Sequence, residues 1–300
     1  MNSDVVARNL RKEFGSTVAL KRIDLDVPET SIYALVGPNG AGKTTLIKTL
    51  MNIHRPTSGR SEVLGVDSRK LAGRCFECIG YVSENQECPN WMTVEGFLRF
   101  LQPFYPTWDS KLAAEMLARF CLPADRKLGQ LSRGMRMKAQ LVSSLAYRPR
   151  LVVLDEPFTG LDAMVRDELI EGLLSCAEGT TILISSHDLN ELDSFASHVG
   201  YLDEGVLEFS EDIESLRGRF REISITLGSS AALPAGMPKS WLLPEASGAV
   251  VRFIDSRYDE PRALDDVHRL FPDLKDLAVN PLPLRSIFIA LAKTNRPKVS

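Results

Sequence analysis

The chain has 300 residues, of which 44% are hydrophobic and 25% charged, and its formal net charge is −3 at pH 7. This length allows one large domain and a smaller one. Nucleic-acid-binding surfaces are usually strongly basic, so the charge balance disfavours a nucleic-acid partner. The apolar runs are shorter than the about 20 residues of a membrane span, and the polar N-terminus predicts no signal peptide.

The N-terminal part of the chain predicts a pair of antiparallel strands over residues 4–30. Residues 5–10 and 23–27 alternate apolar and polar side chains, and Gly15-Ser16 marks a turn between them. Residues 31–36 then read as a buried strand and residues 44–51 as a helix. Another turn is predicted at Pro56-Thr57-Ser58-Gly59.

The segment between that strand and helix fits the phosphate-loop pattern G-x-x-x-x-G-K-[ST]. Its glycines let backbone N–H groups converge on phosphate oxygens, and the following helix N-terminus favours anions. Lys43 is placed to reach the β- and γ-phosphates, and Thr44 offers a hydroxyl to Mg²⁺. The alternative is a plain glycine-rich turn. The predicted ligands of ATP in this loop are Gly37, Pro38, Asn39, Gly40, Ala41, Gly42, Lys43, Thr44 and Thr45.

Residues 91–148 carry apolar side chains at helical spacing and predict a mostly helical region. Trp91, Met92 and Phe104 stand at its start. Core packing is the favoured interpretation of these three large side chains, ahead of a role on a docking surface.

The apolar run at residues 151–154 is typical of a buried parallel strand, and Asp155 and Glu156 follow it. Ligands in open α/β sheets bind at the carboxyl ends of strands. Asp155 is therefore a candidate Mg²⁺ ligand, and Glu156 is placed to polarise a water toward the γ-phosphate. The alternative is a strand that ends in a solvated acidic turn. Strands and helices alternate from residue 151 to about 203, as a mostly parallel sheet requires.

Three further motifs identify a family. Leu131-Ser132-Arg133-Gly134-Met135 opens a predicted helix and resembles the LSGGQ signature of ABC-type ATPases. Gly160-Leu161-Asp162 resembles the D-loop of that family, and Ser185-Ser186-His187 resembles its switch histidine. The resemblance runs from about residue 4 to 213. It implies an α/β fold, a P-loop NTPase core of the ABC ATPase type with N-terminal antiparallel strands and a helical subdomain inserted at about 86–150.

The resemblance also implies roles for single residues. His187 would act with Glu156 at the attacking water, and Lys43 would supply positive charge at the phosphates. Phe14 would stack on adenine, although core packing is the alternative for this phenylalanine. Ser132 and Gly134 of a second subunit would contact the ATP, and Asp162 of the D-loop is also a predicted nucleotide-binding residue.

Two departures from the commonest pattern resemble the type-2 ABC exporter subfamily. The fifth signature residue is Met135 rather than Gln, and Ser83-Glu84 stands where the Q-loop usually has Pro-Gln. Glu84 brings a negative charge near Mg²⁺ and the γ-phosphate, where it would ligate the metal or repel the phosphate. Gln86 is the alternative Q-loop residue.

Residues 214–300 predict a small α+β accessory domain without a catalytic motif, following an ATPase domain at residues 1–213. The composition shifts near residue 214, and the loop at 231–238 is rich in proline and alanine. The expected strands are residues 222–227 and 250–254, and the expected helices are residues 261–270 and 283–292.

The chain has five cysteines, an odd number that favours reduced thiols in a cytoplasm. Cys75 and Cys78 form a C-x-x-C pair and Cys88 is near in sequence, but no fourth ligand follows. Packing thiols are favoured over a zinc or redox site.

These features together predict a Mg²⁺-dependent ATPase subunit of an ABC exporter, with ATP as its substrate. The expected partners are an integral-membrane permease and a second ATPase subunit, in a homodimer or heterodimer at the cytoplasmic face of the membrane. The alternative is a soluble ABC-type ATPase acting on nucleic acid or ribosomes, which the lack of coiled-coil, zinc or tandem modules disfavours. A regulatory module that binds ATP without turnover is disfavoured by Glu156 and His187.

Overall fold

A computed structural model describes residues 2–84 and 86–295 of the chain. The chain divides into two units, Met1–Ser210 and Glu211–Ser300. The sequence places the border between its two domains at residue 213.

The first unit is built on a mixed ten-stranded sheet with the strand order β5-β4-β1-β2-β10-β9-β3-β8-β7-β6. Its strands are β1 (Ser3–Phe14), β2 (Thr17–Pro28), β3 (Ile32–Val36), β4 (Ser58–Val63), β5 (Val66–Asp67), β6 (Ile79–Ser83), β7 (Leu151–Asp155), β8 (Thr181–Ser186), β9 (His198–Asp203) and β10 (Val206–Asp212). Its helices are α1 (Lys43–Leu50), α2 (Val94–Leu101), α3 (Ser110–Arg119), α4 (Arg133–Leu145) and α5 (Ala163–Leu174).

Two kinds of strand make up this sheet. In β2 the burial alternates, so that Ile23, Leu25 and Val27 enter the core while the residues between them face solvent. All residues of β7 and β8 are buried, as expected of parallel strands that are covered on both faces. The main core of the unit lies between the antiparallel strands, α1 and the central parallel strands.

The parallel register brings three chain segments to one edge of the sheet. Strand β8 lies between β3 and β7, with Ser186 paired to Val36 and Ser185 paired to Asp155. The segments that follow these three strands therefore meet at their common carboxyl ends, which is where open α/β sheets bind ligands.

The fold class predicted from the sequence is confirmed, including the N-terminal antiparallel strands and the helices between residues 91 and 148. One predicted turn is wrong in part, because Ser58 and Gly59 already belong to β4. Gly59 approaches the backbone of β1 so closely that a Cβ would lie 2.2 Å from the carbonyl oxygen of Asn9. Gly59, which predicted a turn, is instead required by the close contact between β4 and β1.

The prediction that the large side chains around residue 91 pack in the core is also wrong. Trp91 is 70% exposed and Phe104 is 59% exposed, whereas Met92 is half-buried. Phe100 is exposed as well, and its ring lies 5.5 Å from that of Phe104. The helical spacing identified the helices but not the face that each large side chain takes.

The second unit has a four-stranded antiparallel sheet in the order β12-β13-β11-β14. Its core contains Trp241 stacked on Phe253, with ring centroids 3.9 Å apart, and the buried Phe271. Its strands are β11 (Arg221–Leu227), β12 (Trp241–Ser247), β13 (Val250–Asp255) and β14 (Leu274–Pro281), and its helices are α6 (Ile213–Arg219), α7 (Glu260–Leu270) and α8 (Leu284–Asn295).

Two of these four strands were missed at the level of sequence. Strand β12 contains Pro244 and a register shift, with Leu243 in the left-handed region at φ 48°. Strand β14 lies at the edge of the sheet and carries Lys275 and Asp276 among its apolar residues. A bulge and an edge position both interrupt the period-2 pattern on which strand prediction depends.

The alternating burial of β2 generates a stability prediction. Leu25→Ala removes a fully buried side chain and is expected to lower the free energy of unfolding by about 2–5 kcal/mol. The neighbouring Asp26→Ala removes only an exposed ion pair with Arg8, so about 1 kcal/mol or less is expected. Urea denaturation followed by circular dichroism compares the two variants. Equal losses would contradict the register described here.

Candidate functional site

The loop between β3 and α1 depends on glycine for its shape. A Cβ at Gly37 would lie 2.0 Å from the carbonyl oxygen of Leu202, and one at Gly42 would lie 2.8 Å from that of Ala19. Gly40 and Gly42 also have φ values of 83° and 110°, in the left-handed region. No Cβ therefore covers the loop backbone at these glycines, as phosphate binding by backbone N–H groups requires.

A cavity of about 560 Å³ opens beside this loop, within the usual range of small-ligand sites. Gly37, Pro38 and Ala41 belong to the loop but do not line the cavity. Its lining includes the predicted residues Asn39, Gly40, Gly42, Lys43, Thr44, Thr45, Glu84 and Glu156. It also includes residues that the sequence analysis missed: Thr17, Val18, Ala19, Lys21, Glu204 and Gly205.

Lys43 is the first residue of α1, and its side chain is only 5% exposed. Its Nζ donates to the carbonyl oxygens of Gly37, at 2.6 Å, and Pro38, at 3.1 Å. The same ammonium lies 3.0 Å from Oε1 of Glu156. The loop thus wraps around a buried cation whose countercharge comes from the end of β7.

Asp155 ends β7 and meets two hydroxyl groups. Thr44 Oγ1 donates to Oδ1 of Asp155 at 3.1 Å, and Ser185 Oγ donates to the same oxygen at 2.9 Å. Burial raises the pKa of Asp155, and these two hydrogen bonds oppose that rise. A hydroxyl and a carboxylate held within hydrogen-bond distance form a hard-oxygen pair that suits Mg²⁺ when phosphate oxygens complete the coordination.

Glu156 joins the loop to the histidine after β8. Its Oε2 lies 2.8 Å from Nδ1 of His187 and accepts a hydrogen bond from Thr159 Oγ1 at 3.1 Å. Burial raises the pKa of Glu156, but the hydrogen bond with His187 and the charge and hydrogen bond of Lys43 outweigh it, so the net shift is downward. Glu156 is therefore ionised at neutral pH.

The backbone at Glu156 is in the left-handed region, with φ at 53°. Such a conformation costs a non-glycine residue about 1–3 kcal/mol and persists only where neighbouring groups enforce it. The N–H of Glu156 donates to Ser185 Oγ at 2.9 Å, which fixes this turn. Ser185 thus orients both acids, and the parallel pairing of β7 with β8 is the signal that could have found it.

Glu84 and Gln86, the two candidates for the Q-loop residue, occupy different places. Glu84 lines the phosphate-loop cavity, and its N–H donates to the carbonyl oxygen of Asp155 at 3.1 Å. Its carboxylate forms an ion pair with Arg133. Gln86 does not line that cavity, and its Oε1 is buried without a hydrogen-bond partner among the described residues. The geometry favours Glu84 at the cavity.

Phe14 lies at the end of β1 and is 44% exposed, but it does not line the cavity. Its ring makes an edge contact with His54, at 5.2 Å between centroids, and Lys12 Nζ lies 4.5 Å from its centre. Core packing, the alternative role of Phe14, is therefore wrong. The stacking of Phe14 on adenine stays a prediction.

Ser132, Gly134 and Asp162 do not line the cavity either. Ser132 caps α4 by accepting from the N–H of Met135 at 3.2 Å, and Asp162 caps α5 by accepting from the N–H of Val165 at 2.9 Å. Gly134 is buried against Val165, where a Cβ would lie 2.7 Å from Cγ1. Within one subunit these three residues have local structural roles.

Other features of the described residues bear on metal and membrane binding. No cluster of three or more His, Cys, Asp or Glu side chains in residues 2–84 and 86–295 has the arrangement of a metal site. The five cysteines are free thiols. No helix within these residues combines the length and the apolar character needed to cross a membrane.

Comparison with known proteins places these features in a family. A family model described as ABC transporter matches residues 20–159. The ABC transporter ATP-binding protein YtrB of Bacillus subtilis is 27% identical, over 94% of this chain and 96% of YtrB. The daunorubicin resistance ATP-binding protein DrrA2 of Streptomyces coeruleorubidus is 30% identical, over 96% of this chain and 94% of DrrA2.

A solved structure shares the fold of the first unit's cassette. The dimeric post-hydrolysis state of the ATP-binding cassette MJ0796, bound to ADP and Pi, superimposes with a TM-score of 0.61 and 25% identity. The match covers 70% of this chain and 98% of the cassette.

The resemblance inferred from the motifs is therefore confirmed. The phosphate loop and Glu156 line one cavity, and His187 contacts Glu156 without lining the cavity itself. DrrA2 aligns with nearly the whole chain. The chain belongs to the family of ABC transporter ATP-binding proteins, the subunits of ABC transporters that bind and hydrolyse ATP.

Proposed function

We propose that this ATPase subunit binds MgATP between two subunits, closes as a dimer, and so drives a separate membrane permease in the direction of export. The observation that carries the proposal is a chain of contacts from Lys43 to Glu156, which both line the phosphate-loop cavity, and from Glu156 to His187. These contacts join a phosphate-binding cation, a water-orienting carboxylate and a histidine in one place.

The chain's own residues account for the phosphate chemistry. Phosphoryl transfer needs positioning and charge neutralisation rather than a covalent intermediate. Lys43 exchanges its contact with Glu156 for one with phosphate, and Glu156 is then available to orient the attacking water. His187 holds the Glu156 carboxylate through Nδ1. Because the pKa of Glu156 is lowered, its main contribution is to align and polarise water as an ionised acceptor.

Thr44 and Asp155 are the residues that would hold Mg²⁺, since their oxygens already lie together at the end of β7. When bound, Mg²⁺ neutralises charge on the β- and γ-phosphate oxygens. Glu84 as a third metal ligand stays a prediction, because its carboxylate contacts Arg133 instead.

Three predicted site residues that lie outside the cavity support the proposed dimer. Ser132, Gly134 and Asp162 are predicted to contact ATP, yet they do not line the cavity of their own subunit. We place them against the nucleotide of a second subunit, which is a copy of this chain or a related partner. Ser132 and Asp162 are helix N-caps, and the N-termini of helices favour anions.

The direction of transport and the membrane partner rest on two further observations. DrrA2, whose name assigns it to daunorubicin resistance, aligns with 96% of this chain, and export is one way for a transporter to confer resistance. Trp91, Phe100 and Phe104 are large apolar side chains left exposed in the helical region. We propose that these three residues face the permease at the cytoplasmic side of the membrane.

The two units have separate roles in this proposal. The first unit holds the ATPase chemistry, with Phe14 against adenine. The residues after Ser210 form an accessory domain, because none of the nucleotide-site contacts described above involves them.

Removal of Lys43 tests the phosphate site. Lys43→Ala is expected to weaken MgATP binding at least tenfold and to abolish turnover, since a hydrogen bond to a charged group contributes about 1.5–3 kcal/mol. His187→Ala is expected to lose turnover while binding changes little. Lys111→Ala is the control, because Lys111 lies on α3, is exposed and does not line the cavity. Unchanged MgATP affinity for Lys43→Ala in a nucleotide titration would refute the assignment.

The composite site generates a second test. Glu156→Gln keeps the size of the side chain but removes its charge, and the loss of a positioned base costs about 10²- to 10⁴-fold in rate. We expect this variant to bind MgATP, to hydrolyse it very slowly and to accumulate as a dimer on a sizing column. Adding Ser132→Arg should abolish the dimer and leave binding to the monomer intact. A double variant that still dimerises on ATP would exclude the two-subunit site.

The permease contact is tested by membrane association in the native host. Trp91→Glu is expected to shift most of the protein from the membrane pellet to the supernatant, because a charge enters an apolar contact. Ile53→Glu is the control, since Ile53 is also exposed but lies outside the helical region. The proposal fails if the parent chain is found free of membranes, and a parent found on ribosomes would support the alternative function.

A further inference from the structure

Glu84 stands on a wall shared by two cavities. One is the phosphate-loop cavity, and the other, of about 340 Å³, lies beside the start of α4. The second cavity is lined by Glu84, Gln86, Arg133, Arg136, Met137 and Gln140. Glu84 is the only acidic side chain among these lining residues, and Arg133 is the arginine that forms an ion pair with it.

Arg133 is fixed by two segments that are distant in sequence. Its Nη2 forms the ion pair with Oε1 of Glu84. Its guanidinium also packs on Gly160, where a Cβ would lie 2.9 Å from Nη1. Gly160 has φ at 70°, and this left-handed backbone conformation favours glycine. Arg133 therefore links the Q-loop to the D-loop within one subunit.

The position of Arg133 in its helix does not explain its charge. Arg133 is the first residue of α4, and a cation in the first turn opposes the helix dipole. Arg136 adds a second cation one turn further on. The helix dipole and the neighbouring cation both disfavour arginine at position 133, so the ion pair with Glu84 is the contact that stabilises its charge.

The charges at the phosphate-loop cavity show why Glu84 needs a partner. Glu156 pairs with Lys43, and Glu204 lies 3.7 Å from Lys21. Glu84 is the remaining carboxylate of the lining, and both lysines of the lining already face another acid. ATP would bring several more negative charges into this space, within the screening length of about 8–10 Å. An uncompensated Glu84 would oppose its binding.

We propose that Arg133 is the counter-ion that allows a glutamate at position 84 beside the nucleotide phosphates. In the LSGGQ pattern the third residue is glycine, and the Q-loop residue is glutamine. Arg133 in the signature and Glu84 in the Q-loop are one compensating pair, in which Arg133 cancels the charge that Glu84 adds. Arg133 is a positioning residue that acts through Glu84, and this inference rests on the proposed MgATP site.

The test is a double-mutant cycle on nucleotide binding by the full chain, at protein concentrations where it is monomeric. A fluorescent ATP analogue is displaced by MgATP or MgADP from the parent, Arg133→Gln, Glu84→Gln and the double variant. Arg133→Gln is expected to weaken MgATP binding about tenfold, which corresponds to about 1.4 kcal/mol. The loss should be smaller for MgADP, which carries less negative charge, and smaller at high salt.

The decisive comparison is the double variant. Glu84→Gln with Arg133→Gln should bind MgATP within about twofold of Glu84→Gln alone, because no unpaired carboxylate remains. Arg133→Lys keeps the charge and should stay within about threefold of the parent. Arg136→Gln, which removes a cation from the same cavity without touching an observed ion pair of Glu84, is the control and should also change binding less than threefold.

Two results would overturn the inference. Arg133→Gln that weakens binding equally in the parent and in the Glu84→Gln background would mean that Arg133 acts on the nucleotide or on the fold. Arg133→Gln that leaves binding unchanged would mean that the ion pair has no influence at the phosphates. A parent chain that binds no MgATP would instead refute the proposed function itself, and the inference with it.

Discussion

The buried ammonium of Lys43 is the constraint on which the rest of the site depends. Moving an ammonium out of water costs several kcal/mol unless acceptors surround it. Two loop carbonyls and the carboxylate of Glu156 supply those acceptors. The same carboxylate accepts from Thr159 and contacts His187, so the cation, the end of β7 and the histidine after β8 are joined through Glu156. Under the proposed function, phosphate replaces Glu156 as the partner of Lys43, and the Glu156 carboxylate is then available to orient water. Nucleotide binding and water activation are therefore coupled through the Lys43–Glu156 contact.

Much of this arrangement was predictable, because its signals are local or follow from strand register. The phosphate loop is a contiguous motif between a strand and a helix, and Asp155 and Glu156 directly follow an apolar run. The parallel pairing of β7 with β8 then places Ser185 opposite Asp155. The fold of the first unit could be derived in this way since its central strands are apolar on both faces.

Other features could not be derived from one sequence. The pairing of Glu84 with Arg133 joins residues 49 positions apart through side-chain orientation, which no periodicity encodes. Trp91 and Phe104 have the composition of core residues, and only the packed structure shows that they face solvent. Strand β12 was hidden because a bulge at Leu243 and the proline beside it break the alternation.

The ion pairs around the cavity follow one pattern. Each of its three carboxylates is held by a cation from another part of the chain: Lys43 for Glu156, Lys21 for Glu204 and Arg133 for Glu84. These pairs differ in burial, and that difference sets their influence. The Lys43–Glu156 contact is largely excluded from solvent, so it constrains the loop strongly. The Arg133 side chain is half exposed, so salt screens the ion pair that it forms with Glu84. A signature residue that is glycine in the common pattern can therefore become arginine when the Q-loop residue becomes acidic, because the same short distance connects the two positions.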